Sequence, residues 1–207
     1  MKSFVYSSLG LALVGALVLG VSQTALAVET VPAPAASGSS FDQRLVQRKQ
    51  ERAVTLTLVD QTRLIGTCVR AQSKLRTLEI GYVPSLANHI KVYQQIDAKI
   101  LVTIGQLKLA GKDTFSLEKD RQALVDKITS FQGLSANFTQ ALDDTEVINC
   151  QADIVGFKAL LGTDQLYYAS IQSQAVGVHD FIINNVKPEL ASHTSDLQLK
   201  APSGGSN

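Results

Sequence analysis

Tryptophan is absent from this 207-residue chain, methionine occurs once, and cysteine occurs twice. Aromatic residues make up 6% of it, too few to fill a β-sandwich or barrel, whereas seams of Leu, Ile and Val suit packed helices. There are three histidines, His89, His179 and His193. None stands in an HExxH spacing, and no CxxC occurs, so the usual zinc ligand sets are missing. A haem or di-metal bundle would draw on paired His or Met or on Glu-x-x-His, and none is present. A glycine-rich phosphate loop, a GxSxG elbow and a histidine-paired nucleophile are missing too. No catalytic residues, metal or cofactor are therefore expected, and an enzyme is the least favoured class.

A basic excess is also lacking. The chain carries 19 basic and 18 acidic residues, and removing a leader that contains Lys2 leaves 18 of each. That balance does not suggest a nucleic-acid partner or a membrane surface held by charge. The charges are nevertheless sorted. Residues 41–76 hold eight basic groups (Arg44, Arg48, Lys49, Arg52, Arg63, Arg70, Lys74, Arg76) against Asp42, Glu51 and Asp60. Residues 113–153 hold eight acidic groups (Asp113, Glu118, Asp120, Asp126, Asp143, Asp144, Glu146, Asp153) against Lys119, Arg121 and Lys127. Such segments should lie side by side. The acidic run at Asp143, Asp144 and Glu146 has no glycine-containing ligand loop and reads as a solvated turn rather than a cation site.

The N-terminus has the three parts of a secretory signal: Lys2, an apolar run from Leu9 to Val21, and Ala25-Leu26-Ala27 before a cleavage point at Val28. An uncleaved anchor is the alternative, since adding Phe4 to Leu9 brings the run near the roughly 20 residues that span a bilayer. No other run reaches that length. The two cysteines, Cys68 and Cys150, are an even count in an exported chain, which favours a disulfide.

Residues 28–40, rich in Pro, Ala and Ser, read as a flexible stalk, and 191–207 as a disordered tail. Between them, 41–190 reads as an elongated all-α antiparallel three-helix bundle or coiled coil. A 4-3-4-3 spacing runs from Val54 to Leu107, with 11 of its 16 positions apolar. It passes Pro84 without losing phase, which predicts one long first helix kinked there. The alternating stretch from Val54 to Leu58 is assigned to that helix. Ala110 to Thr114 is the turn. The second seam runs Leu117, Leu124, Ile128, Phe131, Phe138, Leu142, and the third runs from Ile154 to Ile182, ending near Pro188, with a distortion expected at Gly162-Thr163-Asp164. A hairpin centred on Lys112 places residue 150 opposite 74, within two turns of Cys68. Residues 41–66 are left as a projecting basic helix, whose Val54, Leu58 and Ile65 form a candidate interaction face.

With Cys68, Arg70 and Gln72, then His89 and Tyr93, Gly111-Lys112-Asp113, Phe131, Thr145 to Cys150, Phe157-Lys158 and Lys187 to Leu190, the chain resembles a group of uncharacterised secreted coiled-coil proteins of the ultra-small candidate-phyla bacteria. The resemblance covers about residues 44–190. It implies a long helical hairpin with one disulfide and assigns no catalytic or binding residues.

These readings lead to an exported, extracytoplasmic, non-enzymatic protein of the cell envelope or surface. A protein partner or self-association is expected, and contact with a membrane only if the N-terminal segment is retained. The alternative is an extracytoplasmic binding module or chaperone with an apolar groove between helices, although the LTxxQ-type repeats associated with small periplasmic chaperones are missing.

Overall fold

The computed structural model describes residues 39–198. The expected signal segment, nearly all of the stalk and the last part of the tail lie outside them. All regular structure among the described residues is helical: α1 spans Phe41–Arg52, α2 Leu58–Leu109, α3 Phe115–Val147 and α4 Ile154–Phe181. A π-helical turn, Ile182–Val186, carries α4 directly into α5, Lys187–Gln198.

The all-α expectation holds, and four helices, α1 to α4, pack against one another. The finer expectation of three helices with one long kinked first member differs from the structure at residues 53–57. Here α1 ends on Ala53, whose backbone is left-handed at φ 42 and ψ 44. α2 then begins with a reciprocal cap: the Thr57 hydroxyl accepts from the Asp60 N–H, and the Asp60 carboxylate accepts from the Thr57 N–H. Such a capping box satisfies orphaned donors only at a helix start, so it favours a break over continuation. Val54 and Leu58 keep the heptad phase across the gap, which is why periodicity reads straight through it. Freed by the break, α1 does not project as expected but folds back against α4.

α2 is 52 residues long, about 78 Å at ~1.5 Å per residue. It runs on through Pro84. Proline there deprives the Ile80 carbonyl of its donor, and both residues are exposed, so water can serve that carbonyl. The helix closes at Gly111, with φ +67. The Gly111 N–H donates to the Lys108 carbonyl and the Lys112 N–H to the Leu107 carbonyl. This left-handed cap costs glycine little and turns the chain for α3.

α3 returns antiparallel along α2. Their shared seam carries the predicted apolar positions, with Ile100, Leu107, Leu117, Leu124, Phe131 and Leu142 all fully buried. Tyr93 meets Phe131 edge to face at 5.6 Å between centroids, and Tyr82 meets Phe138 the same way at 5.8 Å. At the far end Cys68 and Cys150 are bonded, with Cα atoms 6.0 Å apart. Residues 148–150 have already left α3, and non-helical chain covers about 3.3 Å per residue instead of about 1.5. That extra reach covers about half of the offset between residue 68 and the register expected from the hairpin.

The α4 helix is continuous through Gly162, Thr163 and Asp164, where a distortion is expected from sequence. It also passes Pro188. In the π turn the Lys187 N–H donates to the Ile182 carbonyl, and this wider winding just before the proline makes room for a ring that would otherwise press on the preceding turn. The helix therefore reaches Gln198, beyond the expected end near Pro188 and into the segment read as tail. Val186 is buried and Leu190 packs against the main core.

The disulfide closes a loop of 82 residues, so on the chain-entropy relation its removal should lower stability by about 4 to 5 kcal/mol. Denaturant unfolding of Cys68→Ala/Cys150→Ala beside the oxidised protein measures this. A loss under about 1 kcal/mol would mean that the bond adds little to packing that already holds its ends together.

Candidate functional site

Of the three residues singled out as an interaction face, the structure brings two to one side of a helix. Leu58 is 81% exposed and Ile65 38%. They stand two turns apart at the start of α2, on one face. Val54 lies in the connector before the helix and is half-buried. Sequence reasoning missed most of what accompanies them. Val59, Val69, Ile80, Val102 and Leu109 are also largely exposed, Ile80 at 72% and Leu109 at 91%. At 100° per residue, Leu58, Val59, Val69, Ile80, Val102 and Leu109 fall within an arc of about 100°, a ridge on the outward side of α2 that is interrupted between Ile80 and Val102, where Lys91 stands exposed on the same arc; Val92 and Leu101, also exposed, lie outside it. The only sequence signal was aliphatic residues recurring at multiples of about 11 positions, Leu58, Val69, Ile80 and Val102, with polar residues between them, and only burial shows that they are left open.

A second feature, at the end of the bundle that carries the disulfide, was legible in part. The predicted attraction between the basic and acidic segments is realised there. Arg44 forks onto Asp144 with contacts of 2.7 and 2.6 Å, Lys49 pairs with Asp153, and Arg76 meets Glu146 at 3.2 Å. Arg48, buried, donates to the Tyr167 hydroxyl at 3.2 Å and to Glu51 at 2.7 Å, with its guanidinium 5.7 Å from the Tyr167 ring centre. Arg52 donates to the Gly162 carbonyl at 2.6 Å. α1 is thus held chiefly by charge and hydrogen bonds, with Phe41 and Leu45 adding partly buried apolar contact.

The Asp143-Asp144-Glu146 run is no solvated turn. It is the last turn of α3, and Asp144 is buried. Among the described residues no group of three or more His, Cys, Asp or Glu is placed to hold a metal. Asp153 caps α4 by accepting from the Gly156 N–H at 2.9 Å. A Cβ on Gly156 would stand 2.6 Å from the Asp153 carboxylate, so glycine is what lets that cap close. Burial pushes the Asp153 carboxyl up, but the hydrogen bonds from Lys49 and the Gly156 N–H outweigh it and hold it below the usual aspartate range. The Arg44 guanidinium is raised by its hydrogen bond to Asp144. Across the same end, burial raises the Glu79 carboxyl, with Glu146 and Asp143 adding to the shift.

Asp164 is the residue of this network with both carboxyl oxygens left without a hydrogen-bond partner, and it is 3% exposed. Burial drives its carboxyl well above the ordinary aspartate range; the Thr145 hydroxyl opposes the shift and Asp144 adds to it. Asp164 therefore gives up its proton far less readily than an ordinary aspartate, beside an Asp144 held by Arg44. The Thr145 hydroxyl itself donates to the Ala141 carbonyl at 2.9 Å. A crevice beside this cluster, lined by Arg44, Arg48, Asn137, Gln140, Asp144 and Leu160, has room for little more than one water.

The remaining predicted residues take no part in either feature. His89 is exposed and only touches Tyr93, with centroids 6.1 Å apart, rather than sitting inside the seam. His179 is exposed, and His193 pairs with Glu189 at 3.3 Å. No family model matches the chain, and neither any curated protein nor any solved structure is similar to it.

Because folding raises the Asp164 carboxyl, its contribution to stability is fully present below the pH at which an unfolded aspartate titrates. It declines as pH rises from there toward the raised folded value. Asp164→Asn should match the parent near pH 4 and exceed it by about 1 kcal/mol or more at pH 8, as read from urea midpoints across that range. Equal pH dependence in the two proteins would show that Asp164 is ionised when folded. Arg44→Met leaves Asp144 buried without its cation and should cost roughly 2 to 3 kcal/mol. Hydrogen exchange should then speed up across α1 while the α2 and α3 seam stays protected.

Proposed function

We propose that this chain is an exported, non-enzymatic protein of the cell envelope or cell surface that works by binding another protein along the outward side of α2. The observation that carries this reading is the ridge itself: six large aliphatic side chains left open to solvent along a single helix whose opposite side is packed. Soluble chains scatter such residues singly, and aligned exposure marks a contact surface. The ionisable groups that the fold does gather, Arg44, Arg48, Lys49, Asp144 and Asp153, are engaged in joining α1 to the body. This fits a structural use of charge rather than a convergent reacting centre.

A disulfide is present, and among the described residues no helix is long and apolar enough to cross a membrane. Both are compatible with an extracytoplasmic protein, and the sorted N-terminal signal pattern supports export. Aromatic contacts and the cysteine bond hold α2 against the rest of the bundle, and its 52 residues offer an elongated partner a long face.

Replacing Ile80 or Val102 with a photo-crosslinking residue, in cells that make the protein, should yield discrete protein adducts. The same replacement at Gln122 or Thr129, on the outward side of α3, should yield none. Equal labelling from both helices, or no adduct from α2, would remove the reading.

A further inference from the structure

Resting on the α2 ridge as a contact surface, we infer that its partner is an amphipathic helix of another protein carrying acidic residues along the margin of its apolar stripe. Three properties of α2 lead there. The first is charge. Arg63, Arg70, Lys74 and Lys99 are all exposed, and at 100° per residue they fall within about 40° of one another, immediately beside the aliphatic arc. Asp60 is the one exposed acid of α2. A partner lying in the ridge meets a basic margin some 36 residues long, and acidic groups on it would gain both attraction and register.

The second is shape. Between the aliphatic side chains the arc carries Gly66, Ala87, Ala98 and Gly105, together with the longer Lys91, Gln94 and Gln95, all exposed. A Cβ on Gly66 or Gly105 would meet nothing within 4 Å. No neighbour in the fold requires glycine there, and glycine inside a helix costs about 1 kcal/mol relative to alanine. Small side chains alternating with Val, Ile and Leu suit a second helix set close to the backbone. A bilayer surface is met instead by a broad apolar face, often with aromatic residues, and no aromatic side chain stands on this ridge.

The third is extent. The exposed aliphatic side chains run from Leu58 to Leu109, the full length of α2, so a helical partner can meet them over many turns. A second copy of this chain could match that length, but charge opposes it. Packed antiparallel about Pro84, Arg70 of one copy falls beside Lys99 of the other. Packed parallel, the basic margin faces an opposite margin whose Arg76 and Lys108 are already paired with Glu146 and Glu118. The antiparallel arrangement thus sets like charges against each other, and an acidic helix turns those contacts attractive.

The test combines crosslinking from Ile80 with charge reversal. In the parent chain, sequencing of the crosslinked peptides should place them in a helical, acid-rich segment of one other protein. Arg63→Glu, Arg70→Glu, Lys74→Glu and Lys99→Glu together should lower the adduct yield at least tenfold. The corresponding Arg63→Lys and Arg70→Lys chain should keep it, and urea midpoints matching the parent establish that each variant is folded. Adducts to a second copy of this chain, adducts to lipid only, or a yield indifferent to charge reversal would overturn the acidic-helix inference while leaving the ridge as a contact surface. Failure of Ile80 to crosslink anything would instead remove the contact surface itself.

Discussion

Three segments of chain have to be held at one point for this fold to exist: the first third of α2, the end of α3 and the beginning of α4. The bond between Cys68 and Cys150 does this covalently. Around it a small second core forms from Ile148, Ile154, Phe157 and Leu160, separate from the long seam. Gln72 reinforces the same junction by donating to the carbonyls of Thr145 and Ile148, each at 2.9 Å. With that junction fixed, the carboxylates of Asp144 and Asp153 are presented to α1 at the end of the bundle, a charged seat that takes Arg44 and Lys49.

The seat explains why α1 folds back instead of extending α2. Its apolar contribution is modest, and its four cations each find an oxygen or a ring on α3, on α4 or within α1 itself. Pairs this well buried need every remaining group satisfied to avoid a net penalty. The forked contact at Arg44 and the shared use of Tyr167 and Glu51 by Arg48 come close to that condition. Asp164 does not, and it escapes the cost of a buried charge by remaining protonated. The end of the molecule that carries the disulfide therefore gathers several carboxyl groups moved from their ordinary range, Asp153 downward and Glu79 and Asp164 upward.

Much of this was legible in the chain. The heptad phase from Val54 to Leu107 marked the buried side of α2, Gly111 marked the turn, and the opposed charge of 41–76 and 113–153 anticipated the ion pairs. What escaped has identifiable physical reasons. Ala53 takes a left-handed conformation that glycine or asparagine would have announced and alanine does not. Thr57 and Asp60 spelled a helix start, but Val54 and Leu58 kept the apolar phase across the break and masked it. The π turn before Pro188 absorbs a residue that normally ends a helix. The ridge of α2 shares its helix with the core seam, and a one-dimensional pattern cannot say which of two stripes on the same cylinder will be covered.

The manner in which α1 is attached also sets how the protein answers a pull. Load entering at Phe41 would draw on the contacts of Arg44, Arg48, Lys49 and Arg52 in succession, each yielding separately, as in peeling a strip of tape. Only when that strip is gone would tension reach α2, where the side-by-side seam resists in shear and the sulfur bridge carries the strain past it. The short basic helix is in that sense a mechanical fuse placed ahead of the bundle.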